Sequence, residues 1–136
     1  MRDVLSDELV SQAKKDEKFI LLSGDHGYAL FDKLRKNSPD RFVNVGIMEQ
    51  SMIGMATGLV NVGYRPVVYG LASFIPMRVL EQIKLDVCFS KSPVKIITGL
   101  SVAGWSVNKK LMLSGVCPGV CMTSKVKLPT LILSAS

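Results

Sequence analysis

The chain has 136 residues, 48% apolar and 21% charged, which is one domain's worth of sequence with apolar mass for a single core and no composition for disorder. Its net charge of +6 is not a nucleic-acid footprint. Residues 1–90 hold eleven basic and eleven acidic side chains, and the excess is six scattered lysines beyond residue 90, where Trp105 is the one aromatic.

No run of about 18 apolar residues lacks a polar break, so no membrane span is expected. Acids stand at Asp3, Asp7 and Glu8, where a secretory leader would be apolar, and a cytoplasmic location is the expectation. Cys88, Cys117 and Cys121 have no metal-ligand spacing with the single histidine. They read as reduced, inert thiols, with no metal site in this chain.

Val4-Leu5, Leu9-Val10 and Ala13 recur at helical spacing, which predicts an amphipathic helix over 3–16. Phe19 to Ser23 is a short continuous apolar run, the pattern of a buried parallel strand. Gly24 to Gly27 is a turn, and Ala29 to Lys36 a helix with Leu30, Phe31 and Leu34 inward, stopped by Asn37-Ser-Pro-Asp40. Arg41 to Val45 reads as the second strand and Gln50 to Val62 as a long helix closed by Gly63. Val67 to Leu71 is the third strand. Pro76 suits the first turn of the next helix, with Val79, Leu80, Ile83 and Val87 as its buried stripe, and Val94 to Thr98 is the fourth strand.

Strands alternating with helices predict an α/β fold: a parallel sheet covered by helices on both faces. Ligands of such sheets bind at the carboxyl ends of the strands. Asp25, the stretch Gly46 to Glu49, and Ser73-Phe74 all follow strand ends. Glu49 stands out, a single carboxylate at a strand-to-helix junction within apolar surroundings. A buried carboxylate is costly unless something specific pairs with it. On the residues alone two readings stay open: a carboxylate capping the helix that starts near Gln50, or an acid that shares a proton with a ligand nitrogen. Gly54-x3-Gly58, with Ala56 beside it, would let another backbone approach that helix closely, as at a subunit interface.

Residues 20–104 resemble the pyrimidine-binding domain of the transketolase family. The resemblance rests on residues 40–59 (Asp-Arg-Phe-Val-Asn-Val-Gly-Ile-Met-Glu-Gln-Ser-Met-Ile-Gly-Met-Ala-Thr-Gly-Leu), then Arg65-Pro-Val-Val-Tyr69, Ala72-Ser-Phe74, Glu81-Gln-Ile83, Asp86 and Pro93-Val-Lys-Ile96. The opening turn Gly24-Asp-His-Gly27 is similar to that of split C-terminal transketolase subunits. The resemblance implies thiamine diphosphate as cofactor. It makes Glu49 the catalytic residue, sharing a proton with N1′ of the aminopyrimidine so that the cofactor's C2 proton can be removed. Such sharing needs a dry pocket, for which Ile47, Met48 and Met52 are the expected lining. Phe74 is expected to stack on the aminopyrimidine, and Asp25 to lie near the thiazolium. Arg78 matches an arginine that some relatives turn toward a phosphorylated substrate, and otherwise reads as a solvated helix charge. His26 is a further substrate candidate, with a surface histidine as the plainer reading.

Two family features are absent. The Gly-Asp-Gly motif and its asparagine-bearing partner segment, which hold the diphosphate and its Mg²⁺ or Ca²⁺, do not occur, so a separate diphosphate-binding subunit or domain is the implied partner, within a homo- or hetero-oligomer. The family's Gly-Pro-Thr-His run should begin near Gly104 and does not. The expected organisation is a pyrimidine-binding domain over 1–104 and an atypical tail over 105–136, which has no acidic residue. That tail reads as a foreign end on a truncated gene or, alternatively, as a divergent closing helix and strand around Leu128–Leu133. The function implied is the aminopyrimidine-binding half of a two-carbon ketol transferase acting on sugar phosphates. A 1-deoxyxylulose-5-phosphate synthase fragment, a 2-oxo-acid dehydrogenase β-subunit fragment and a non-catalytic interaction module are the alternatives.

Overall fold

The computed structural model describes residues 2–26, 29–99, 120–122 and 130–135, with side-chain surroundings described within 3–99. In chain order the elements are α1 (Arg2–Lys15), β1 (Phe19–Ser23), α2 (Asp32–Asn37), β2 (Phe42–Asn44), α3 (Glu49–Asn61), β3 (Arg65–Leu71), α4 (Ile75–Arg78), α5 (Leu80–Gln82), β4 (Lys95–Gly99), β5 (Val120–Met122) and β6 (Thr130–Ala135). A 3-10 turn (Pro39–Arg41) precedes β2, and α5 runs on into a π-helical stretch (Ile83–Phe89).

The strands form one sheet in the order β2-β1-β3-β4-β6-β5. The first four are mutually parallel, with Ser23 opposite both Asn44 and Tyr69, and Leu71 opposite Gly99. All four therefore end at one edge. β6 joins β4 antiparallel, Ile97 opposite Ile132, and β5 pairs antiparallel with β6. β6 overlaps the strand that the closing-strand reading puts around Leu128–Leu133.

The pleat of β1 explains the two layers, because successive side chains leave on opposite faces. Ile20 and Leu22 pack with Met52, Ile53 and Ala56 of α3 and with Ile75, Val79, Ile83 and Val87 of the fourth helical region. Phe19 and Leu21 pack on the other face with Leu9 and Ala13 of α1 and Leu30, Phe31 and Leu34. Each such large side chain contributes about 1.5–3 kcal/mol relative to exposure. The expected α/β architecture, a parallel sheet between helices, is observed for β1–β4, with β6 and β5 added antiparallel at one side.

Boundaries differ where local conformation overrides the apolar pattern. Ala29 has φ +63° and lies in a turn, so α2 begins at Asp32 rather than at Ala29. The helix expected around Pro76 is broken at Val79, which has φ −120°. Leu80 is half-buried, while Val79, Ile83 and Val87 are buried as the stripe requires.

Candidate functional site

The carboxyl edge of the sheet carries the site. The loop after β1 leads to α2 on one face, whereas the loops after β2 and β3 lead to helices on the other. This divergence opens a crevice at the strand ends.

After β2, Val45 continues the pairing through its N–H to the Ser23 carbonyl (2.9 Å). Gly46 then turns the chain at φ +75°, its N–H bonded to Asn44 Oδ1 (2.9 Å). A side chain there would sit in open space but in a conformation that L residues rarely adopt. Three residues later α3 begins at Glu49. After β3 the approach is tight, since a Cβ on Gly70 would collide with Ile75. That glycine lets the turn Ala72–Phe74 fold down and start α4 directly above the strand end.

These two turns bring Glu49 and Arg78 together. Glu49 is 7% exposed, and its Oε1 accepts a hydrogen bond from Arg78 Nη1 at 3.1 Å. The guanidinium carbon also lies 4.1 Å from the centre of the Phe74 ring, within cation–π range. The backbone of Arg78 is held independently. Its N–H donates to the Phe74 carbonyl (2.9 Å), and its carbonyl accepts from Gln50 Nε2 (3.0 Å). Ile47, Met48, Glu49, Gln50, Ser51 and Arg78 line an open pocket of about 380 Å³.

The capping alternative for Glu49 is not what the side chain does. The helix is capped at Met48 with no side-chain cap bond, and the carboxylate turns to Arg78. Arg78 is accordingly more than a solvated charge. Phe74 is half-buried and carries the guanidinium on its face.

Two expected lining residues do not shield the carboxylate. Ile47 is 76% exposed and Met48 48%, whereas Met52 is fully buried. The reason is the turn at Gly46, which swings the next two residues past the sheet edge, where nothing else described in this chain covers them. Asp25 and His26 share the edge but not the pocket lining. Asp25 is exposed and accepts from Asn44 Nδ2 (3.3 Å). His26 is half-buried against Tyr69, ring centres 6.0 Å apart, with Nε2 enclosed and lacking a hydrogen-bond partner.

The Glu49–Arg78 pair and the Gln50 brace are the features that sequence reasoning missed. The pair spans 29 positions, and its one trace in sequence is that both residues follow ends of parallel strands. Gly54 and Gly58 have open space around them, so the close approach expected there is not made within the described part of this chain. Among the described residues no three His, Cys, Asp or Glu side chains gather as a metal site, and no helix is long and apolar enough to cross a membrane.

Comparison with known proteins gives a consistent picture. The sequence profile of the transketolase pyrimidine-binding domain matches residues 1–107. An apulose-4-phosphate transketolase subunit of Phocaeicola vulgatus is 34% identical over 97 residues, 71% of this chain and 31% of that protein. The 1-deoxy-D-xylulose-5-phosphate synthase of Oleidesulfovibrio alaskensis is 40% identical over 94 residues, 68% of this chain and 14% of the enzyme. A solved structure described as a split-gene transketolase, inactive beta4 tetramer, superposes with a TM-score of 0.63 at 34% identity, covering 70% of this chain and 32% of that one. The chain thus spans less than a third of the length of each of these relatives.

Proposed function

The chain belongs to the family of transketolase pyrimidine-binding domains, and from that premise we propose that it is the aminopyrimidine-binding half of a thiamine-diphosphate-dependent two-carbon ketol transferase. The observation that carries the reading is the buried Glu49 carboxylate facing a pocket at the strand ends, with Phe74 within reach of the same guanidinium.

The donor set fits the pyrimidine end of the cofactor. Arg78 supplies a chemical stand-in for it: a planar cation that donates N–H to Glu49 and lies over Phe74. An aminopyrimidine offers a ring face to Phe74 and, at N1′, a nitrogen with which Glu49 can share a proton. When bound, the cofactor would supply an acidic carbon suited to nucleophilic chemistry at a ketose carbonyl. Glu49 holds or releases the proton at N1′, with a contribution of about 10²–10⁴-fold expected of such a group. Phe74 fixes the plane of the ring. Asp25, on the neighbouring strand end, would lie toward the thiazolium side in this reading, and His26 beside it would be the candidate for the sugar phosphate.

The diphosphate and its metal ion belong to a separate subunit or domain. The exposed Ile47 and Met48 form the apolar rim that this partner covers, which dries the pocket and strengthens proton sharing within it. The exposed Gly54–Gly58 face of α3 is available to the same or a second subunit. One relative is named as a transketolase subunit and another as a tetramer, and both names support an assembly of this kind; a cytoplasmic location is part of the same proposal. The match to a 1-deoxy-D-xylulose-5-phosphate synthase keeps that activity open as the alternative, so the proposal stops at the class of sugar phosphate.

Reconstitution tests it. The purified chain with thiamine diphosphate and Mg²⁺ should show no two-carbon transfer, and adding a diphosphate-binding transketolase subunit should produce it. Transfer by the chain alone, or none with any such subunit, would count against the assignment.

A further inference from the structure

We propose that Arg78 is a placeholder for the aminopyrimidine: its guanidinium occupies the Glu49 oxygen and the Phe74 face until the cofactor displaces it. The inference rests on the cofactor reading of this pocket and adds an exchange step to it.

Three observations carry it. Arg78 Nη1 donates to Glu49 Oε1 at 3.1 Å, so one of the two carboxylate oxygens already has a donor. The guanidinium carbon lies 4.1 Å from the Phe74 ring centre, about the depth of one stacked ring, so the stacking face is filled as well. An aromatic ring and the guanidinium cannot both occupy that layer. Finally, the backbone of Arg78 is pinned by Gln50 Nε2 and by the Phe74 carbonyl. Exchange therefore needs side-chain torsions only, and the helix start stays where it is. The side chain is 48% exposed, so water is open to it along its way out.

The arrangement has a purpose in physical terms. A carboxylate this buried is costly to leave without a partner, and before the cofactor arrives Arg78 supplies one. The consequence is a reduced apparent affinity, because the pocket is competent only in the fraction of molecules with Arg78 swung out. A half-exposed ion pair combined with a cation–π contact sets that reduction at roughly 5–30-fold.

The probe is the free hydroxymethyl-aminopyrimidine half of thiamine, titrated into the full 136-residue chain by NMR. Arg78→Ala is expected to bind it roughly 5–30-fold more tightly than the parent, and Arg78→Lys, which keeps the charge beside Glu49 but loses the planar group, to fall between them. In the parent, saturation with the probe should shift the Arg78 side-chain Nε–H resonance and speed its exchange with solvent. Glu49→Gln should weaken probe binding whichever residue stands at position 78. If Glu49→Gln weakens binding while Arg78→Ala leaves it unchanged or weaker, the pocket reading survives and the placeholder is overturned. If no variant binds the probe, or Glu49→Gln has no effect, the cofactor reading of the pocket falls and the placeholder with it. Should Arg78→Ala fail to fold, the lysine variant and the parent's Nε–H response decide: no tightening and no shift overturn the proposal.

Discussion

Replacing Arg78 with alanine should destabilise the folded chain more than replacing Glu49 with glutamine, although Glu49 is the buried member of the pair. Its side chain is 8% exposed and that of Arg78 48%, at a separation of 3.1 Å. At an effective dielectric of about 20, that distance corresponds to an attraction of about 5 kcal/mol. Half of the Arg78 side chain is in water and the Glu49 side chain has lost most of its hydration, so the net coupling should fall to about 1–2 kcal/mol. That lies between the range for exposed pairs and the cost of breaking buried ones. Arg78→Ala strands a buried carboxylate and removes the cation from Phe74, for a loss of about 2–3 kcal/mol. Glu49→Gln leaves an arginine free to turn to water and an amide oxygen that still accepts from it, for a loss of about 1 kcal/mol. The double variant should cost less than the two singles together by about 1–2 kcal/mol. Urea unfolding of all four proteins at neutral pH measures each quantity. A coupling under about 0.3 kcal/mol, or a glutamine variant less stable than the alanine one, would refute this account of the pair.

Phe31 is 1% exposed and meets Tyr69 edge-to-face at 5.0 Å, so Phe31→Ala should cost about 3–5 kcal/mol; a midpoint within experimental error of the parent's would mean that the α1–α2 layer does not pack as described. Gly46→Ala meets no steric neighbour, so its cost should be the positive φ alone, about 1–2 kcal/mol, with weaker probe binding because the turn aims Glu49. An alanine variant as stable as the parent would show that the turn can be rebuilt. With β6 paired to β4, the amides of residues 131–133 should exchange as slowly as those of 96–98; exchange at the rate of a free peptide would favour the foreign-tail reading instead.

The sheet was legible because its central strands are buried on both faces, which writes them as unbroken apolar runs such as Phe19 to Ser23. β2 was legible for a different reason: it is short and half-exposed, but the helix and turn signals on either side left few places for it. Helix ends were harder to place. Leu30 and Phe31 are buried whether they belong to a turn or to a helix, so the apolar pattern carries no information about where α2 starts. The π-helical stretch Ile83–Phe89 keeps Ile83 and Val87 on the core side and so hides in an ordinary helical spacing. At the site, Glu49 could be singled out because a lone carboxylate in apolar surroundings demands a partner. Which partner it finds depends on two turns that meet only in three dimensions. The exposure of Ile47 and Met48 was hidden for the converse reason, since apolar residues read as interior until a glycine with positive φ carries them past the sheet edge.

The central claim is that Glu49 shares a proton with the cofactor's pyrimidine. It is tested most directly by the rate of C2 proton–deuteron exchange of thiamine diphosphate in the complex of this chain with a diphosphate-binding subunit, compared with Glu49→Gln. Exchange should fall by about 10²–10⁴-fold while cofactor affinity changes by about tenfold or less, because the amide keeps a polar contact but cannot share an acid proton. A rate within a few-fold of the parent's in a fully loaded complex would remove Glu49 from the chemistry and leave it a structural partner of Arg78.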